Sequence, residues 1–107
     1  MSPGDHGMLM TALPSREAAA AIAKLLIDER LAACVQLLAV QSFYRWEDKT
    51  QNEAEVLLLV KTRTALFDAA IARIKAAHSY AVPEIVGMPF TAGFAGYFGW
   101  IDAVTAQ

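Results

Sequence analysis

The sequence predicts an α+β fold in which two helices cover one face of a four-stranded sheet. Strand-like and helix-like segments follow one another in the order β-α-β-β-α-β, and a further aromatic helix ends the chain. Two strands are long and are joined by a polar turn, and the second carries the apolar run Val56–Val60. Such a run, without alternation, indicates a strand covered on both faces. Two β-α-β crossovers joined by a hairpin form a ferredoxin-like sandwich.

The first strand and the first helix lie at the start of the chain. Met8–Ala12 is a short apolar strand, which Leu13-Pro14 ends. Ser15 is a favourable N-cap, so we expect a helix from there to about Glu29. Its apolar residues at helical spacing should face the sheet, and they are Ile22, Leu25 and Leu26.

The two long strands should extend over Ala33–Trp46 and over about Asn52–Thr62, with the polar turn Glu47–Thr50 between them. Alternate residues point to opposite faces of a strand, and in these strands both sets are largely apolar. The helices of so short a chain can cover only one face of the sheet. We therefore expect further copies of the chain to cover the other face.

The second half of the chain repeats the helix-strand pattern. Thr64 can cap a helix that ends at about His78, and the loop Tyr80–Pro83 follows because a residue before proline resists helix. Glu84–Pro89 is the last predicted strand. Aromatic and apolar residues then recur at spacings of three and four over Phe90–Ile101, which predicts a C-terminal aromatic helix.

The composition also favours association of several copies. Of 107 residues, 56% are hydrophobic and 19% are charged, more apolar material than one small domain hides. Residues 1–7 are polar and lack the apolar core of a signal peptide, so a flexible leader is predicted there, and His6 within it is given no role. Residues 8–107 are predicted to form one domain.

Charge, hydropathy and cysteine content exclude several classes of partner. The 9 Lys and Arg residues are scattered and the net charge is −2, so we expect no nucleic acid partner. No apolar run approaches the roughly 18 residues that span a bilayer, so no membrane contact is expected. Cys34 is the only cysteine, which favours a reducing, cytoplasmic location.

No catalytic constellation is apparent, and we expect no enzymatic activity. None of the serines lies in a Gly-x-Ser-x-Gly motif. An acyl-phosphate hydrolase of this fold needs a phosphate-cradling loop after the first strand, and Leu13–Arg16 contains no glycine. An RNA-recognition domain shares the element order, but Val56–Val60 takes the place of its aromatic and basic motif.

Six short motifs, in this order and spacing, resemble the CutA family of divalent-cation tolerance proteins over about Met8–Ile101. They are Leu13-Pro-x-Arg-Glu-Ala, Glu29-Arg-Leu-Ala-Ala-Cys-Val, Tyr44-Arg-Trp, Glu53-x-Glu-Val, Lys61-Thr and Val82-Pro-Glu-Ile. The resemblance implies a ferredoxin-like fold in a tight homotrimer that is similar to the PII signalling proteins. It also implies a link to copper tolerance and to the binding of divalent metals.

The chain departs from the family pattern at three positions. Ser79 replaces the first proline of the family's His-Pro-Tyr-x-x-Pro-Glu motif, Ala39 stands where the first long strand of the family has Pro-Gly, and Asp48 replaces the glycine of the hairpin turn. The loss of Pro-Gly should change how the strand bends near the trimer edge. The change at Ser79 affects the loop that follows His78.

The candidate metal ligands are Cys34, His78 and Glu84, and the cation that the resemblance implies is copper(II) or another divalent cation. Cys34 is either a soft ligand for copper or a small buried residue at the start of a strand. His78, at the end of a helix and on its apolar face, is either a ligand aided by Glu84 or a residue placed there by the helix dipole. These three residues need not form one site.

A second class of function is a signalling or scaffolding trimer that binds a small molecule or a protein partner in clefts between subunits. Arg45, Trp46, Lys49 and Tyr80 are the candidate residues for such a cleft or interface. Glu53 and Glu55 share one strand face, where they are either solvated edge charges or, with Lys61, part of a cation site or an intersubunit contact.

Overall fold

The computed structural model describes residue 2 and residues 4–107, and it shows one four-stranded antiparallel sheet with three α-helices. The elements are β1 (His6–Leu13), α1 (Arg16–Asp28), β2 (Cys34–Trp46), β3 (Lys49–Arg63), a 3₁₀ turn (Thr64–Leu66), α2 (Phe67–Ala77), β4 (Ile85–Pro89) and α3 (Ala95–Val104). None of the helices in these residues is long and apolar enough to cross a bilayer.

The strand order in the sheet is β2-β3-β1-β4, and every pair of neighbours is antiparallel. Because β3 lies between β1 and β2, α1 must cross over the sheet, and α2 crosses in the same way from β3 to β4. This topology confirms the predicted ferredoxin-like fold. The β2–β3 hairpin is the longest feature, with paired residues from Cys34 opposite Lys61 to Trp46 opposite Lys49.

The core lies between the sheet and the first two helices. Leu9, Leu58 and Val60 are fully buried on the sheet face that the helices cover. The predicted apolar face of α1 is confirmed, since Ile22 and Leu26 are buried in the same cluster. Ser15 caps the helix as predicted, because its hydroxyl accepts a hydrogen bond of 3.1 Å from the Ala18 amide.

The opposite sheet face is apolar but largely uncovered within the chain, and we call it the open face. It carries Met8, Met10, Leu38, Leu57, Leu59, Val86 and Met88, which the pairing registers place on the same side. Leu38 is 52% exposed there. Helix α3 contacts β3 and buries Ile101, so it covers only part of the sheet.

The first strand begins two residues before the predicted Met8, because β1 starts at His6. His6 is only 2% exposed, its Nε2 atom lies 2.8 Å from a carboxylate oxygen of Asp102, and its ring stacks on Phe98 at 4.5 Å. These contacts with α3 extend the strand into the predicted leader. The leader also includes Met1 and Pro3, which lie outside the described residues.

The hairpin turn is shorter than the predicted Glu47–Thr50, because Lys49 and Thr50 already pair with β2. Glu47 and Asp48 form the turn with φ angles of 52° and 61°. Two left-handed residues give the twist that a two-residue hairpin needs, and aspartate tolerates this conformation well. Ala39 pairs with Val56 in an uninterrupted register, so β2 contains no bulge at that position.

The aromatic helix begins later than the sequence predicts. Helix α3 starts at Ala95, whereas the periodicity placed its start near Phe90. The Phe90 amide donates a hydrogen bond of 2.8 Å to the His6 carbonyl and so continues the pairing of β4 with β1. A residue held in sheet pairing cannot open a helix, so the helix begins only after Phe94, its N-cap residue.

Candidate functional site

An open cleft of about 760 Å³ lies between the tip of the β2–β3 hairpin and the loop over residues 79–84 that precedes β4. Residues of both strands and of that loop form its walls. The lining includes Tyr44, Trp46, Glu53, Glu55, Tyr80 and Glu84. This volume falls within the range that small-molecule sites occupy.

Glu55 is the most deeply buried charged group of the cleft, with 8% of its surface exposed. The Tyr80 hydroxyl donates a hydrogen bond of 2.8 Å to its Oε2 atom. Burial, followed by this hydrogen bond to Glu55, raises the pKa of Tyr80 above its ordinary value. Tyr80 therefore keeps its proton, and the loop over residues 79–84 is held against β3.

The cleft is acidic throughout its lining. Glu53, Glu55 and Glu84 contribute carboxylates, and no Lys, Arg or His residue lines it in the part of the chain that the structure describes. Partial burial and the neighbouring Glu53 carboxylate raise the pKa of Tyr44. The cleft therefore presents neutral phenols and negative charge to a ligand, and it favours cations.

His78 does not face the cleft as a free ligand. It is 9% exposed, and its Nε2 atom lies 2.8 Å from the Ala12 carbonyl oxygen, which can only accept. Its Nδ1 atom accepts a hydrogen bond of 3.1 Å from the Tyr80 amide. Both ring nitrogens are thus engaged in the Nε2–H tautomer, and neither has a lone pair free for a metal.

Cys34 lies far from the other candidate ligands. It opens β2 opposite Lys61, whereas Ala12, the partner of His78, pairs with Leu57. Lys61 and Leu57 are four residues apart along β3, so Cys34 and the Ala12 contact of His78 are separated by about 13 Å along the strand. Cys34 contacts α3 instead, where burial and then the neighbouring Cys34 raise the pKa of Tyr97. Cys34 therefore does not meet His78 within one chain.

The remaining predicted site residues divide between the cleft and the hairpin. Glu84, Trp46 and Tyr80 line the cleft, whereas Arg45 and Lys49 are exposed on the hairpin outside the lining. Over residue 2 and residues 4–107, no group of three His, Cys, Asp or Glu side chains is placed to hold a metal ion. A divalent cation therefore does not fit the donors that the described residues of one chain bring together.

The burial of Glu55 was not predicted, because the sequence places it beside Glu53 either as a solvated edge charge or, with Lys61, in a cation site or an intersubunit contact. Glu55 is covered because the Tyr80 loop folds over it, a contact between residues 25 positions apart. The available signal was its place directly before the apolar run Val56–Val60, on the strand face that should lie against another surface.

Comparison with known proteins gives one family. The model for the CutA1 divalent ion tolerance protein matches residues 7–104. The divalent-cation tolerance protein CutA of Thermus thermophilus is 44% identical over 95 residues, which cover 88% of this chain and 92% of that protein. The rice protein named CutA 1, chloroplastic, is 41% identical over 96 residues, which cover 89% of this chain but 54% of that protein.

Solved structures agree with the fold. The periplasmic divalent cation tolerance protein CutA from Archaeoglobus fulgidus superposes with a TM-score of 0.92 at 37% identity, covering 94% of this chain and 98% of that one. The structure of CutA1 from Oryza sativa gives a TM-score of 0.92 at 37% identity, covering 99% and 96%. These relatives carry both periplasmic and chloroplastic names, so the family is not confined to one compartment.

Proposed function

Because this chain belongs to the CutA1 divalent ion tolerance family, we propose that it acts in divalent-cation tolerance as a cytoplasmic, PII-like homotrimer that binds divalent metal, copper(II) foremost. Residues 8–107 act as one domain in this proposal. We assign it no enzymatic activity, as expected from the sequence.

The open face is the single observation that supports association of several copies, and the number three comes from the family resemblance. Leu38, Val86 and Met88 are each more than two-fifths exposed on it, next to the half-buried Leu57 and Leu59. A contiguous apolar face on a soluble protein marks an interface. Packing the open faces of several copies against one another removes this surface from water without any change in the fold.

The metal site of this proposal lies at a boundary between subunits. His78 leaves the ligand set because both of its nitrogens are engaged inside the chain. Glu84 is exposed at the cleft, and Cys34 is half-exposed at the start of β2. Each supplies one donor to a site that a neighbouring subunit completes, since copper needs several nitrogen, sulfur or oxygen ligands.

Equilibrium dialysis against copper(II) tests the metal proposal. We expect about one bound metal per chain, and we expect binding at least tenfold weaker after Glu84→Gln or Cys34→Ser. Glu17→Gln is the matched control, because Glu17 is an exposed carboxylate on α1. Uptake below stoichiometry, or affinity equal in all four proteins, would remove the metal from the proposed function.

A second candidate function is a PII-like signalling or scaffolding trimer that binds a small molecule or a protein partner without metal chemistry. The cleft favours it, because Trp46 and Tyr80 give it aromatic walls around a volume of small-molecule size. Co-purification of one stoichiometric partner in the presence of EDTA, and its loss after Trp46→Ala, would support this candidate. Retention of the partner in the variant would count against the cleft.

A further inference from the structure

We propose that the cleft binds a small organic cation, a compound with a primary ammonium group next to a flat apolar body, and that Glu55 is its counter-ion. This inference uses the cleft of a single chain. It does not depend on a metal ion, and it applies to the part of the cleft that stays open when neighbouring copies cover the open face, because Glu53 and Glu55 share that side of β3 with Leu57.

Glu55 has no cationic partner among the residues that the structure describes. The residue is more than nine-tenths buried, and the one hydrogen bond that its carboxylate accepts from a side chain in the described residues comes from Tyr80, at Oε2. No lysine, arginine or histidine forms an ion pair with it there. A buried carboxylate without a cation is costly, and a bound ammonium would supply both the charge and a donor for Oε1.

The walls of the cleft suit an organic cation better than a bare metal ion. Trp46 and Tyr44 are large, half-exposed aromatic side chains, and Tyr80 lies across from them with its hydroxyl already bonded to Glu55. Aromatic faces attract ammonium groups and also cover an apolar body. Indole and protonated phenol are poor metal ligands, and no three carboxylates converge here to replace them.

The shape of the cleft indicates which class of organic cation it would bind. Phe43 and Val82 are 69% and 72% exposed and add apolar surface at the rim of the cleft. A ligand with an ammonium at Glu55 and an aromatic or alkyl body toward this rim would use both parts of the lining. A polyanion or a nucleotide would meet three glutamates and no cationic side chain from the described residues.

Calorimetric titration with phenethylammonium, in buffer with EDTA, tests the proposal. We expect saturable binding of one molecule per chain and at least tenfold weaker binding of 2-phenylethanol, which has nearly the same shape without the charge. Glu55→Gln should weaken the ammonium at least tenfold, because glutamine can still accept the Tyr80 hydrogen bond and keep the loop in place. Glu17→Gln, distant from the cleft on α1, should leave the affinity unchanged.

A second variant tests the aromatic walls of the cleft separately from the stability of the fold. Trp46→Leu should weaken phenethylammonium threefold or more while the unfolding midpoint stays within the error of the wild type, since Trp46 is at the end of a hairpin. Equal affinity for the ammonium and the alcohol, or full affinity in Glu55→Gln, would overturn the proposal. Absence of phenethylammonium binding to the wild type, together with dissociation of the oligomer in Glu55→Gln, would also overturn it. That result would mean that Glu55 pairs with a cationic side chain of a second copy. EDTA keeps these outcomes independent of copper uptake.

Discussion

Replacing His78 with alanine should destabilise the fold and leave metal affinity unchanged. The imidazole joins the end of β1 to the start of the Tyr80 loop through hydrogen bonds of 2.8 Å to the Ala12 carbonyl and 3.1 Å from the Tyr80 amide. Each contributes about 1 kcal/mol, and the backbone groups left without a partner at a site only 9% exposed add to the loss. The expected loss in free energy of unfolding is about 2–4 kcal/mol.

Urea unfolding followed by far-UV circular dichroism measures this loss, at one fixed protein concentration because association contributes to stability. Lys75→Ala is the control, since Lys75 is an exposed side chain one turn earlier on α2. The His78→Ala variant should keep the copper affinity of the wild type, measured by dialysis below its unfolding transition. A loss under about 0.5 kcal/mol, or a tenfold fall in copper affinity, would refute the structural role of this histidine.

Three further perturbations test other parts of the fold. Leu38→Glu on the open face should shift the oligomer toward single chains, seen by size-exclusion chromatography with light scattering, whereas Ala20→Glu on the exposed side of α1 should not. Gly7→Ala should cost about 1–3 kcal/mol of unfolding free energy in urea, because the new Cβ would lie 2.4 Å from the Met88 carbonyl oxygen. The raised pKa of Tyr80 means that the folded chain holds this proton longer than the unfolded chain, so stability should fall as pH rises above about 10. Tyr80→Phe should flatten that fall between pH 9 and pH 11, and an unchanged slope would contradict the assignment.

The sheet and its two crossing helices could be predicted because local patterns specify them. Two long apolar segments with a polar turn between them indicated the hairpin, and Ser15 indicated the start of α1. The run Val56–Val60 indicated a surface on each side of the sheet, and the structure shows one side covered by helices and the other open. Family membership was predicted as well, from motifs spread over nearly the whole chain.

The parts that could not be predicted depend on contacts between distant residues. His6 reads as part of a polar leader, and only Asp102 and Phe98 on α3 explain why it is buried in a strand. Glu55 reads as an edge charge until Tyr80 covers it. Histidine is a common metal ligand, but both ring nitrogens of His78 form hydrogen bonds with backbone groups, one of them 66 positions away.

Sedimentation velocity ultracentrifugation of the wild-type chain at low micromolar concentration is the most direct test of the proposal that other copies cover the open face. We expect one species of three times the 11.6 kDa chain mass, with no detectable fraction of free chains. A species at 11.6 kDa that stays monodisperse as the concentration rises would contradict the homotrimer. It would leave Leu38, Val86 and Met88 facing water in a stable protein, against the physical reason for proposing the assembly.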